Sequence, residues 1–241
     1  MLSLDKTKER ETLRAFIGTN PTLLSWKMDG LTIVLTYENG ELQKAVTRGN
    51  GIVGEVITNN ARTFKNIPLK IAYQGRLVLR GEAIITYSDF ERINETIEDV
   101  DAKYKNPRNL CSGSVRQLNN QITAERNVRF YAFALVSAQD VDMHNSRAYQ
   151  MEWLKSQGFE VVEYRMVTGE SLDEAMDIFL MRSRIMIFHP MDLLRFMMTL
   201  HMEIHLEVLR NSREMRLLSN GQMRSAKRRF VRLSGARREQ D

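Results

Sequence analysis

Cysteine is almost missing from this chain: Cys111 is the one thiol in 241 residues. A lone cysteine excludes a disulfide within the chain and any cysteine-based zinc site, and it fits a reducing, cytoplasmic setting. Long apolar runs are missing too. None approaches the roughly 18 residues that a membrane span needs. No basic segment followed by an apolar stretch opens the chain, so secretion is not indicated. Internal repeats and low-complexity linkers are likewise absent. The four histidines, His144, His189, His201 and His205, show no metal-ligand spacing apart from the i, i+4 pair at His201 and His205. No metal-ligand set is assigned from them.

The residues that are present describe a soluble globular protein, with 43% hydrophobic and 27% charged residues. The length suits one large domain or two small ones. The net charge of +5 would point to nucleic acid, but it is unevenly spread. From Met181 onward there are 13 Lys and Arg against 6 Asp and Glu, whereas residues 1–180 carry 22 against 24. Eight of the 14 methionines also lie beyond residue 180. So sharp a change of composition marks a boundary, and it divides the chain into residues 1–180 and 181–241.

Periodicity predicts an α+β fold for the first part. A short helix is expected near Glu9–Ile17, with Leu13, Phe16 and Ile17 on one face. Leu31–Tyr37 alternates as a strand, and Glu38-Asn39-Gly40 is a hairpin signal leading to a partner strand over Leu42–Thr47. Further strands are expected at Arg76–Ile85, Val128–Val136 and Phe159–Val167. Helices are expected from Ser88, which is the candidate cap, over Arg147–Gln157, and after a cap at Ser171. Beyond about Leu180 the pattern decays. Lys227–Arg232 is a basic run that suits either phosphate contacts or a solvated terminus.

Four stretches carry possible chemistry. In Ser25-Trp26-Lys27-Met28-Asp29-Gly30 a lysine between two apolar residues could be desolvated and act as a covalent nucleophile. Asp29, two residues on, would share its side of a strand and could orient the amine or hold a metal. Thr47-Arg48-Gly49-Asn50-Gly51 offers a guanidinium in a turn, suited to a phosphate or ribose. Glu82 lies inside an apolar strand, where a charge is either paired or lines a site. Asn106-Pro107-Arg108-Asn109 and Gly113-Ser114-Val115-Arg116-Gln117 supply two arginines that could hold a pyrophosphate. Taken singly, Lys27 also reads as a surface lysine before a turn, Arg48 as a solvated arginine in a hairpin, Glu82 as a paired charge in a strand, and the two later arginines as surface loop. Cys111, with no His and Asp near it in the sequence, reads as a small packed residue.

Taken in order, these runs resemble the adenylation domain of NAD-dependent DNA ligases. The match includes Met1-Leu2-Ser3-Leu4-Asp5-Lys6, Lys27-Met28-Asp29-Gly30, Thr47 through Pro68, Arg80-Gly81-Glu82, Asn106 through Leu118, and Arg126 through Phe133. The resemblance implies a nucleotidyltransferase fold and an enzyme of DNA replication and repair. It implies that Lys27 takes AMP from NAD, that the AMP passes to the 5′-phosphate of nicked double-stranded DNA, and that the nick is then sealed. Ser3, Leu4, Arg48 and Glu82 would line the nucleotide site, Arg108 and Arg116 would contact phosphate or nicked DNA, and Mg2+ would be required. A cytoplasmic monomer is expected. Ser25 stands where the family usually has an acidic residue, and Asn50 where it usually has Asp. The family's upstream nicotinamide-recognition domain and its downstream modules have no counterpart in these residues, so the chain is read as a truncated, impaired form. Rival readings are an ATP-dependent ligase or capping-type nucleotidyltransferase, and a non-catalytic nucleic-acid-binding protein that uses the basic tail.

The family's later Ser-Asp-Gly and Phe-Lys-Trp motifs are absent as written. Methionine has a single codon, so part of the tail can be back-translated. Read one base upstream, Met197-Met198 forces Asp, Met198-Thr199 forces a second Asp, and Met191-Asp192 and Met202-Glu203 each force Gly. Permitted codons over Ile185–Glu203 then include Ser-Asp-Gly, and over Leu218–Arg224 they include Phe-Lys-Trp. The expectation is a one-base change of frame between Phe179 and Ile185, with residues 181–241 a tail without native fold.

Overall fold

The computed structural model describes residues 5–6, 9–51, 53–188, 205–208 and 231–232. Two sheets carry the fold. The first has four antiparallel strands in the order β4-β3-β5-β6, formed by β3 (Leu31–Glu38), β4 (Glu41–Thr47), β5 (Leu77–Ile84) and β6 (Arg129–Ala138). The second has the order β1-β9-β8-β2-β7, with β1 at Asp5–Lys6, β2 at Thr22–Ser25, β7 at Tyr164–Val167, β8 at His205–Val208 and β9 at Val231–Arg232. The expected mixture of strands and helices is therefore found.

Strand parity explains the first sheet. Ile33, Leu35 and Tyr37 of β3 and Leu77, Leu79, Gly81 and Ala83 of β5 point to one buried face. That face packs on α2 (Thr58–Ala61) and α4 (Pro107–Ser114), with Leu110, Cys111, Val115 and Phe64 in the same core. The β3–β4 hairpin turns at Asn39 and Gly40, both at positive φ (51° and 74°), which is the geometry a two-residue turn needs. The second sheet packs on α1 (Arg10–Ile17) and α7 (Leu172–Phe188) through Leu13, Ile17, Leu24, Trp26, Val167, Leu172 and Phe179. A third, small cluster of Met28, Ile84, Tyr131 and Val162 is flanked by Tyr87 and Phe133.

Three local expectations are corrected. The cap of α3 (Tyr87–Glu95) is Thr86 and not Ser88: its hydroxyl accepts from the Asp89 N–H at 3.1 Å. The strand expected over Phe159–Val167 narrows to β7. Residues 160–162 instead cross between the sheets, with the Ala132 N–H donating to the Glu160 carbonyl and the Val162 N–H to the Ala132 carbonyl, each at 2.9 Å. Lys27 and Asp29 lie in an irregular connection after β2, not in a strand. Helix α5 (Asn120–Glu125) follows α4, and α6 forms over Arg147–Ser156, capped by Ser146, close to the range expected. Helix α7 continues through position 180 to Phe188. Ser3, Leu4, His189, His201 and the run Lys227–Phe230 lie outside the described residues.

Candidate active site

Lys27 sits on the connection that carries the chain from β2 into β3. The residues on either side of it are anchors: Trp26 is 5% exposed and Met28 is 4% exposed, each in a different apolar cluster. Lys27 is half-buried between them and Asp29 is exposed. The alternation expected of a strand thus survives beyond the end of β2. Gly30 closes the connection where it presses on β5. A Cβ there would stand 2.0 Å from the Ala83 carbonyl oxygen, so no other residue fits without moving that strand.

Glu82 lies on the β5 face opposite the core. Its carboxylate accepts from the Gly30 N–H at 3.2 Å and from the Thr32 hydroxyl at 2.9 Å. Thr32 is its direct partner across the β3–β5 ladder, and Tyr131 its partner on β6. Burial pushes the Glu82 carboxyl above the ordinary glutamate range, against the opposing pull of the Thr32 hydroxyl, Lys27, the Gly30 N–H and Arg108. Lys27 and Arg108 therefore lie close enough for their charges to act on Glu82. Tyr131 is likewise pushed up to about 12, by burial first and the Glu160 charge second.

Arg108 comes in from the start of α4. Asn106 caps that helix, its side chain accepting from the Asn109 N–H at 2.8 Å, and Pro107 occupies the first turn. The Arg108 guanidinium donates to Asp29 at 2.6 Å. Arg116 follows the other end of α4, pairs with Glu55 and donates to the Ser112 carbonyl at 2.8 Å. Arg48 is exposed in the turn after β4, and its N–H donates to the Thr32 carbonyl at 2.9 Å, beside the Glu82 row. Gly49 and Gly51 at φ 52° and 94° shape that turn. Cys111, on the buried side of α4, donates its thiol to the Ala83 carbonyl at 3.2 Å, in keeping with a packed residue.

The structure thus gathers Lys27, Asp29, Glu82 and Arg108, with Arg48 on the neighbouring strand end. Arg116 is held to the side through Glu55. Sequence reading expected Trp26 and Met28 to flank Lys27 as apolar neighbours, and it missed Thr32, Glu55 and the packing of Met28 on Tyr131. Thr32 could have been found: in paired antiparallel strands, the polar residue facing Glu82 has to share its parity.

This arrangement places a lysine beside a half-buried carboxylate and the Arg108 guanidinium, which suits transfer of a phosphoryl-linked group. The sequence model of the NAD-dependent DNA ligase adenylation domain matches residues 1–192. The chain belongs to that family. Curated DNA ligases resemble this adenylation domain closely. That of Ruminiclostridium cellulolyticum is 63% identical over 179 residues, covering 74% of this chain and 27% of that protein. The Lachnoclostridium phytofermentans DNA ligase is 64% identical with the same coverage, and that of Clostridioides difficile is 38% identical over 186 residues. The chain spans only 27% of the length of these relatives. Among solved structures, a putative ATP-dependent DNA ligase from Aquifex aeolicus superposes with a TM-score of 0.50 at 12% identity, covering 98% of this chain and 49% of that one. An archaeal ATP-dependent RNA ligase superposes with a TM-score of 0.50 at 14% identity, covering 98% and 48%. At such identities these two share the fold alone. The family match selects the NAD-dependent adenylation domain over the ATP-dependent alternative.

Proposed function

We propose that this adenylation domain carries out the nucleotidyl transfer of an NAD-dependent DNA ligase. The observation that supports it best is the gathering of Lys27, Asp29, Glu82 and Arg108 at one end of the β3–β5 pair. The Lys27 amine attacks the adenylyl phosphorus of NAD. A P–N bond forms, the P–O bond to nicotinamide mononucleotide breaks, and the amine loses a proton. The AMP then passes to the 5′-phosphate of nicked double-stranded DNA, and the 3′-hydroxyl displaces it as the nick is sealed.

Each residue of the site has a part in this reading. Asp29 holds Arg108, and in its absence orients the lysine. Glu82 faces the nucleotide with Arg48; Ser3 and Leu4, which the family resemblance assigns to the same site, lie outside the described residues. Arg108 and Arg116 take phosphate oxygens of the nucleotide or of the nick, exchanging their present carboxylate partners for them. Mg2+ neutralises charge on the phosphates when bound. Among the described residues no group of three or more His, Cys, Asp or Glu is placed to cage a cation. The donor set fits an ion that keeps its waters and phosphate oxygens and takes a single carboxylate, Glu82 or Asp29. A monomer in the cytoplasm suits this role, and among the described residues no helix is long and apolar enough to cross a membrane.

Incubation with NAD and Mg2+, followed by mass spectrometry of the Lys27 peptide, tests the first step. An AMP adduct is expected with NAD and not with ATP, and none in Lys27→Met. An adduct from ATP alone would move the assignment to the ATP-dependent class, and no adduct from either nucleotide would overturn the reading.

A further inference from the structure

Lys27 is presented by the connection from β2 to β3, and the residue before it is fastened to the segment that leads into β7. We propose that Trp26 and Glu163 form a clamp that positions Lys27. The inference rests on the proposed role of Lys27 and adds the residues that set its geometry.

The clamp is built from both main chain and side chains. The Trp26 N–H donates to the Glu163 carbonyl at 3.2 Å, and the indole N–H donates to the Glu163 carboxylate at 3.1 Å. The indole ring packs edge-on to Phe179, with centroids 4.6 Å apart, inside the core beneath β2 and β7. Residue 26 is thereby held in position and orientation, not merely buried. Glu163 is itself fixed on both sides. The next residue, Tyr164, pairs with Ser25 in the β2–β7 ladder. The preceding residues, Glu160 and Val162, are hydrogen-bonded to Ala132 of β6. Residues 160–164 are therefore a strut between the two sheets, and Trp26 is fastened to it immediately before the lysine. On the other side of Lys27, Met28 packs against Val162 of the same strut and against Tyr131. Lys27 hangs between two residues tied to one strut.

This construction has a chemical purpose. The amine must meet phosphorus in line with the leaving oxygen, and a displacement of about 1 Å at such a centre can cost on the order of 100-fold in rate. A tryptophan gives a rigid anchor with one directional N–H, and a glutamate from a neighbouring strand gives that N–H a fixed acceptor. Arg182 of α7 also pairs with Glu163, through the other carboxylate oxygen, and leaves the indole contact in place.

Three variants of the full chain test the clamp. Trp26→Phe removes the indole N–H and keeps a smaller aromatic ring against Phe179. Glu163→Ala removes the acceptor, and Glu163→Gln keeps an oxygen in its place. The rate constant of AMP transfer to Lys27 at saturating NAD is expected to fall about 10-fold in Trp26→Phe and in Glu163→Ala, with KM for NAD changed by less than about 2-fold. Glu163→Gln is expected to recover most of the loss. The double variant Trp26→Phe/Glu163→Ala is expected to be no slower than either single one, because both remove the same contact. In parallel, the pH profile of Lys27 acylation by an amine-reactive ester, read by mass spectrometry, is expected to shift in Trp26→Phe and Glu163→Ala and to return in Glu163→Gln. Wild-type rates and an unmoved labelling profile in both single variants would overturn the clamp, as would fully additive losses in the double. If the parent chain takes no AMP from NAD, the proposed function fails, and the labelling series still decides the clamp.

Discussion

At the residue scale the telling group is Glu82, a carboxylate in the half-open face of a β-sheet. Its raised pKa has a direct consequence for stability. The folded state binds its proton more tightly than the unfolded state, so stability is fully present below the unfolded glutamate pKa of about 4.3 and declines as pH rises through the folded value. Glu82→Gln removes the buried charge while keeping an oxygen for the Gly30 N–H. The unfolding midpoint of Glu82→Gln is expected to exceed that of the parent by about 2–4 °C at pH 7.5, with the difference vanishing near pH 4. A calorimetric series showing no difference at pH 7.5, or one independent of pH, would mean that the ionised carboxylate is accommodated without penalty. Residues of this kind were legible in the sequence. A glutamate inside an apolar strand, a lysine before Asp-Gly and an arginine between glycines are each chemically out of place, and the structure gathers Lys27, Asp29, Glu82, Arg108 and Arg48. The carboxylate that answers Arg116 was not legible, because its pairing with Glu55 spans 61 positions and depends on how two loops dock.

At the scale of elements, strands and helices followed their periodicity and the connections did not. The β3–β4 hairpin was readable because Asn39-Gly40 is a turn in its own chemistry. Residues 159–163 were misread as strand because their β-branched, apolar composition serves equally to cross between sheets, and only the partners at Ala132 and Trp26 decide which. The cap at Thr86 was missed in favour of Ser88, two residues on, although the two hydroxyls lie 3.0 Å apart and serve one turn. The same docking logic makes a prediction for Asn60, which is buried in α2. Its amide donates to the Val115 carbonyl at 2.6 Å and to the Gln117 carbonyl at 2.9 Å, fastening α2 to the segment that carries Arg116. Asn60→Ala leaves two carbonyls without that donor and is expected to cost about 1–3 kcal/mol. Urea unfolding checks this through a lower midpoint at an unchanged slope. An unchanged midpoint would show that the segment holds its place without the tie.

At the scale of the whole molecule the question is what residues 181–241 contribute. Their excess of Arg and Met has no counterpart in the rest of the chain, and the alternate frame over Ile185–Arg224 permits the missing Ser-Asp-Gly and Phe-Lys-Trp motifs. The pairing of β8 with β2, from Thr22 opposite Val208 to Ser25 opposite His205, is compatible with that proposal. β2 is a central strand, with β7 on one side and β8 on the other, and backbone hydrogen bonds can be made by almost any extended segment. A selected sequence at that place would add side chains that face the nucleotide, which the present one is not expected to supply. Restoring one base between the codons of Phe179 and Ile185 therefore makes a double prediction. Sequencing across the site is expected to show an open alternate frame running through both motifs. The restored protein is expected to adenylate Lys27 at least about 10-fold faster than the present chain, because the lysine of the last motif would set positive charge against the transferred phosphate. If the alternate frame is closed by stop codons before Phe-Lys-Trp, the codon agreement is coincidence, and the basic residues from Lys227 to Arg232 become the part of the tail whose binding to DNA should be measured next.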